Sequence, residues 1–172
     1  MKLKAVIAAA ALVVFAACSE PYRATNTSVV VVPDEIQTTF TARYPGATNI
    51  VWMNYDATVD PIIDWDLAGW VVMDASDYVV RFDLGGENYY AWYDSNGDWI
   101  GTAYAVSDYK SLPPAVNTLL NDKFPGYTIS SVNREMKKGQ MAYELQLKNG
   151  DSKIKMLVDD NGNIIKQKTI DK

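Results

Sequence analysis

Two stretches of the chain carry apolar residues at four-residue spacing, and each gives way to positions that alternate. Ile36, Phe40 and Tyr44 make the first stripe, and Val116, Leu119, Leu120 and Phe124 the second. That spacing predicts helices with one apolar face. Pro33 stands where a first helical turn tolerates it, and Asp34 and Glu35 suit the positive N-terminal end. Pro45-Gly46 and Pro125-Gly126 end the two segments. The whole stretch Val32 to Gly46 (VPDEIQTTFTARYPG) returns without a gap eighty positions later as Leu112 to Gly126 (LPPAVNTLLNDKFPG), an internal repeat.

Behind the second helix, four short strands are predicted at Thr128 to Glu135, Met141 to Leu147, Lys153 to Asp159 and Asn163 to Thr169. Lys138-Gly139, Asn149-Gly150 and Asn161-Gly162 separate them as hairpin turns. Tyr143, Leu145 and Leu147 share a face, as do Ile154, Met156 and Val158, so the sheet has one buried side. Tyr78, Val80 and Phe82 answer Tyr143, Leu145 and Leu147 at an offset of 65, and Trp92 to Gly97 answers Leu157 to Gly162. Because the helices are offset by 80, the first copy holds about fifteen extra residues between Trp52 and Tyr78, an insertion at about 54–69.

These patterns predict an α+β fold of two tandem units, each a helix followed by a four-stranded antiparallel meander. The units can continue one curved eight-stranded sheet with both helices on one face. The predicted boundaries are a signal segment at 1–17, a tether at 18–28, the first unit at 29–105 and the second at 106–172.

Charge and composition then narrow the function. The 172 residues include no His and one Cys, and the net charge is −5. No basic stripe of the kind a phosphate backbone requires is present, so nucleic acid is not expected as a partner. Without His, and with its one Cys at position 18, the chain cannot build a Ser-His-Asp, Cys-His or His/Cys zinc site, so no enzyme activity and no cofactor are expected. Asp94-Ser95-Asn96-Gly97-Asp98 has oxygen ligands for calcium, but its glycine comes fourth instead of sixth, and a hairpin turn explains it. Asp56, Asp60, Asp64 and Asp66 form a further acidic cluster, read as a solvated loop.

The N-terminus reads as an address. Lys2 and Lys4 precede an apolar run from Ala5 to Phe15, too short to span a bilayer, and Phe15-Ala16-Ala17-Cys18 follows. This resembles a bacterial lipoprotein signal, which implies lipidation at Cys18 and a membrane anchor. Phe15 departs from the Leu or Val usual at that position. Removing residues 1–17 takes away two lysines and leaves 14 basic against 21 acidic residues, a net charge of −7. The expected location is the cell envelope, at the outer membrane.

Taken together, proline, apolar stripe, Tyr/Phe-Pro-Gly, then Tyr-x-Val-x-Phe or Tyr-x-Leu-x-Leu, then Tyr93-Asp94-Ser95-Asn96-Gly97-Asp98-Trp99, resembles the PepSY-like lipoproteins of Bacteroidota. Their repeats are similar in fold to the β-lactamase inhibitory protein. The resemblance runs over about Val29 to Lys168. It implies a non-enzymatic protein whose open sheet face holds a partner, but no interaction residue transfers by motif.

The aromatic residues supply the remaining hint. Trp52, Trp65, Trp70, Trp92 and Trp99 all lie in the first copy. Strand alternation puts Tyr89, Ala91 and Tyr93 on the buried side, so Tyr90 and Trp92 point to the side away from the helix. Two readings follow. Tyr90 and Trp92, supported by Trp65, Trp70 and Tyr104, form an exposed binding patch, or the insertion folds over the sheet and buries these rings as a small extra core. On the first reading the protein is a lipid-anchored envelope module that binds a protein or peptide and inhibits or restrains an envelope enzyme. A glycan-binding module and a structural lipoprotein without a ligand are the alternatives.

Overall fold

The computed structural model describes residues 30–59 and 62–170. Cys18, the signal segment, the tether and Asp60 lie outside the described residues. The elements run α1 (Asp34–Arg43), β1 (Thr48–Asn54), α2 (Trp65–Ala68), β2 (Tyr78–Leu84), β3 (Glu87–Tyr93) and β4 (Trp99–Ala105), then a 3-10 turn (Tyr109–Ser111), α3 (Pro114–Lys123), β5 (Thr128–Lys137), β6 (Gln140–Asn149), β7 (Ser152–Asp159) and β8 (Ile164–Ile170). All eight strands form one open antiparallel sheet in sequence order, with β1 and β8 as its edges. Within β2 to β4 and within β5 to β8 the connections are two to five residues long and pair neighbours, while the longer connections at 55–77 and 106–127 carry the insertion and α3.

One core lies between α1 and the first four strands. Ile36, Phe40 and Tyr44 meet Val80, Phe82, Ala91 and Tyr93, with Trp52 and Trp99 at the margin. A second lies between α3 and the last four strands, where Val116 and Leu119 meet Val132, Tyr143, Leu145, Leu147, Ile154, Met156 and Val158. Each fully buried aliphatic or aromatic side chain here contributes roughly 1.5–3 kcal/mol by leaving water.

Both helices sit on the same side, which the register across β4 and β5 makes clear. Thr102, which bonds Tyr44 beneath α1, stands directly opposite Met136, and Tyr104 stands opposite Arg134, whose guanidinium lies over Tyr143 beneath α3. Cross-strand partners share a face, so the two cores are neighbours on one surface. Ala103 and Glu135, opposite each other in the same ladder, therefore point to the other surface.

The aspartates at two of the Asn-Gly hairpins serve the backbone of the turn. Asp94 Oδ1 accepts the N–H groups of Asn96 and Asp98, and Asp159 Oδ1 those of Asn161 and Asn163. Gly162 has φ of +79°, and a Cβ there would stand 2.6 Å from the Ala115 carbonyl oxygen. The turn thus tucks under the first turn of α3, and only glycine fits.

Candidate functional site

The side of the sheet away from the helices is covered by the segment between β1 and β2. The cover has an aromatic half and a charged half. Over the first strands, Ile63, Trp70 and Met73 pack on Val79, Tyr90, Trp92, Ile100 and Ala103. Trp65, Trp70 and Trp92 meet edge to face in all three pairings, with centroids 5.3–5.6 Å apart. That geometry sets the positive edge of one ring on the negative face of another. The closest approach is at Gly101, where a Cβ would lie 2.5 Å from the Trp70 ring. Glycine at this strand position lets an indole lie flat on the backbone.

Of the two readings of these aromatics, the exposed patch is therefore not there, and the insertion folds over the sheet and buries the rings. Tyr90 and Trp92 do point away from the helices, but they are 4% and 3% exposed, and Trp70 is 8% exposed. Trp65 is half-buried among them. The space left between Tyr90, Trp92, Tyr55 and Val79 amounts to about 10 Å³, room for about one water. Tyr104 does not join the group. It lies on the helix side, its ring 4.5 Å from that of Tyr89, because Tyr89 and Tyr104 are direct cross-strand partners. The rings are drawn under cover because burying three indoles gains far more than leaving them in water, and the insertion is long enough to reach across.

Over the later strands the same segment is held by polar contacts. Asp64 starts the short helix α2 by accepting the N–H of Leu67, and its Oδ2 lies 2.6 Å from Lys168 Nζ and 3.3 Å from Lys155 Nζ. Its own N–H donates to Glu144 Oε2 at 2.5 Å. Asn133 donates to the Ile62 carbonyl, Lys137 to that of Gly69 at 2.6 Å, and Lys166 to that of Asp66. Partial burial works against ionisation of Asp64, but Lys168, the Leu67 N–H and Lys155 outweigh it and hold its carboxyl below the usual range. Asp64 is a strut between the insertion and the sheet, whereas the acidic cluster was expected to be a solvated loop. Among the described residues no group of three or more His, Cys, Asp or Glu side chains is arranged to hold a metal ion.

Two acids lie under this half, and strand pattern alone gave them no distinction. Glu135 and Glu144 are 3% and 4% exposed, and they face each other diagonally across β5 and β6. Burial, with the neighbouring Glu144 carboxyl second, pushes Glu135 up to about 9, so it holds a proton at neutral pH. Burial raises Glu144 as well, while the Asp64 N–H and Lys155 oppose that rise. Glu144 is thus tied to the insertion. Glu135 shares its proton with the Glu144 carboxylate, and its Oε1 has no hydrogen-bond partner. Their parity, opposite to Tyr143 and Leu145, was visible in the sequence, but what would lie over that face was not.

Glu135 lines a groove of about 690 Å³ between the insertion and β5 to β8. Leu67 and Trp70 form one wall, Ala142 and Leu157 the floor, and Ile165 and Lys166 part of the far rim. Ile165 is 57% exposed, and Val71 and Val72, which follow Trp70, are 60% and 94% exposed. No helix among the described residues is long and apolar enough to cross a membrane.

The comparisons with known proteins agree on the architecture. A BLIP-like protein of Bacteroides fragilis superposes with a TM-score of 0.66 at 19% identity, over 85% of this chain and 92% of that one. A DUF2874 family protein of Bacteroides uniformis gives 0.61 at 20% identity, over 81% and 90%. A "putative periplasmic" protein of Bacteroides eggerthii gives 0.60 at 19%, over 82% and 91%. At such identities the likeness is one of fold. No curated protein matches the chain in sequence. The family model described as "Putative beta-lactamase-inhibitor-like, PepSY-like" matches residues 76–166, just over half of the 172, and the chain belongs to that PepSY-like family.

Proposed function

We propose that this protein is a non-enzymatic, lipid-anchored module of the cell envelope that holds a protein or peptide partner in the groove beside α2. The duplicated register read in the sequence makes the two helices the back of the molecule and leaves the opposite face for binding. The observation that carries the reading is the groove itself. It is the place on that face where the insertion stops short of the sheet, and exposed Met141 and Ile165 line it. Apolar side chains held out to water around a partly enclosed hollow favour a macromolecular partner. Trp70 keeps a part in this reading as a wall of the groove, while Tyr90, Trp92 and Trp65 serve as the scaffold that fixes it.

Restraint of an envelope enzyme is the concrete form that the family description suggests. The glycan alternative needs indoles with free faces for stacking, and Trp70 and Trp92 are packed against each other.

A photo-crosslinking residue placed at Ile165, in cells of the source bacterium, tests the proposal against the same residue at Asn121 on exposed α3. One discrete adduct from position 165, absent from position 121 and lost when Leu157 is replaced by Asp, is expected. Identical adducts from both positions, or none from 165, would overturn it.

A further inference from the structure

The groove carries a chemical preference that its shape alone does not reveal. Asn133, Glu135 and Lys137 are successive residues of β5 on the face under the insertion. The first and third each donate to an insertion carbonyl. Glu135 between them holds nothing of the insertion, and its Oε1 is buried without a partner. Its cross-strand neighbours are alanines on both sides, Ala103 in β4 and Ala142 in β6. Ala103 is covered by the aromatic cluster, but on the other side the small Ala142 leaves space beside the carboxyl, and that space is the groove.

We infer that the groove accepts a lysine or arginine side chain of a protein partner, seated with its cationic tip at Glu135. The inference rests on the groove being the binding surface. Four features converge on that ligand. A buried carboxyl costs stability that an apolar residue of similar volume would not, and the cost is offset when a cation arrives to pair with it. The lysines nearby do not serve, since Lys137 and Lys166 are engaged with the carbonyls of Gly69 and Asp66. Asp159 and Asp160, also lining the groove, add negative potential for an incoming cation. Leu67, Leu157 and Ile165 offer apolar walls, which match the methylene stem behind a lysine or arginine tip.

A partner protein fits better than a free amine. The hollow of about 690 Å³ is several times the volume of one side chain, and exposed Met141 and Ile165 offer apolar surface for flanking residues. Seating the cation makes Glu135 ionise. Its proton leaves to solvent, and a charge-assisted hydrogen bond from the ammonium or guanidinium replaces the one it made to Glu144, with Glu144, Asp64 and Lys137 beside the carboxyl, Lys155 beside Glu144, and Asp159, Asp160 and Lys166 along the groove.

The test is an NMR titration of the full chain at pH 7 with three peptides: acetyl-Leu-Arg-Leu-amide, its citrulline analogue and its norleucine analogue. Expected are amide shifts confined to the groove and movement of the Glu135 carboxyl carbon to its ionised position with the arginine peptide alone. Binding of the citrulline and norleucine peptides should be at least about tenfold weaker, and Glu135→Gln should abolish the difference. Equal binding of arginine and citrulline peptides would overturn the cation preference while leaving the groove as a binding surface. No groove shifts with any peptide would overturn both readings. Because citrulline keeps the shape of arginine and loses its charge, with a carbonyl oxygen in place of one donating nitrogen, the comparison in the unsubstituted chain decides the point even if the variant does not fold.

Discussion

The indole of Trp70 lies so close on Gly101 that a Cβ there would stand 2.5 Å from its ring carbons. This pair joins the insertion to the middle of the sheet. It also explains why a residue poor in strand propensity occupies β4. Gly101→Ala forces the ring off the backbone and with it the wall of the groove. The expected cost is about 1–3 kcal/mol, read as a lower denaturant midpoint, with a red shift of tryptophan emission as Trp70 and Trp92 gain water. An unchanged midpoint and spectrum would mean that the insertion is not held by this contact.

Trp92 distinguishes a buried ring from a binding patch. With 3% exposure and edge-to-face contacts to Trp65 and Trp70, Trp92→Ala is expected to cost about 3–5 kcal/mol in unfolding experiments. Exposed surface substitutions usually stay within about 0.5 kcal/mol. A loss in that small range would return Trp92 to the surface.

What the sequence made legible, and what it did not, divides along one physical line. Periodicity reports the direction of a side chain, and there it served well: Ile36 and Phe40 are buried under α1, Leu145 and Leu147 under α3, and Tyr90 and Trp92 point away from the helices. Turn chemistry placed the strands β5 to β8 within about two residues, because Asn-Gly and Lys-Gly leave little choice of where a hairpin bends. What covers a face depends on long-range contacts, which no local pattern encodes. The insertion reaches Lys155, Lys168 and Glu144 some eighty to a hundred positions away. Its lone helical turn, Trp65–Ala68, is also too short for a periodic signal. The polar members of the groove were missed for the same reason. A glutamate on the face predicted to be open looks like any solvated strand residue until something lies over it.

Asp64 is the link through which the two halves of the cover act together. Asp64→Ala leaves Lys155 and Lys168 without their carboxylate and Leu67 without its cap, at an expected cost of about 1–3 kcal/mol. Amide hydrogen exchange is expected to accelerate at residues 62–70 and to stay slow in β6 and β7, because the helix-side cores do not use Asp64. The sign with pH follows from its lowered value. The contribution is present above the ordinary aspartate value of 3.8 and is lost as pH falls through the lower folded value. Uniform acceleration through the sheet would show instead that Asp64 supports the whole fold.

Glu135 reverses that sign, which makes the pair a clean internal contrast. Its folded value, pushed up by burial and by Glu144 to about 9, lies above the ordinary glutamate value of 4.5. Between those limits the folded chain keeps a proton that the unfolded chain has released. Stability therefore declines as pH rises through the window, by up to about 1.4 kcal/mol per pH unit for one proton. Glu144, also raised, acts in the same direction, while Lys137 and Lys155 oppose it. Glu135→Gln removes one of the two titrations and the repulsion between them. Denaturant midpoints measured from pH 5 to pH 9 should fall steadily for the unsubstituted chain and at most half as steeply for Glu135→Gln, with the variant the more stable protein at pH 8. A flat profile for the unsubstituted chain would mean that water reaches the pair and that Glu135 is ionised in the folded state. That outcome would also remove the proton release expected when a cation enters the groove.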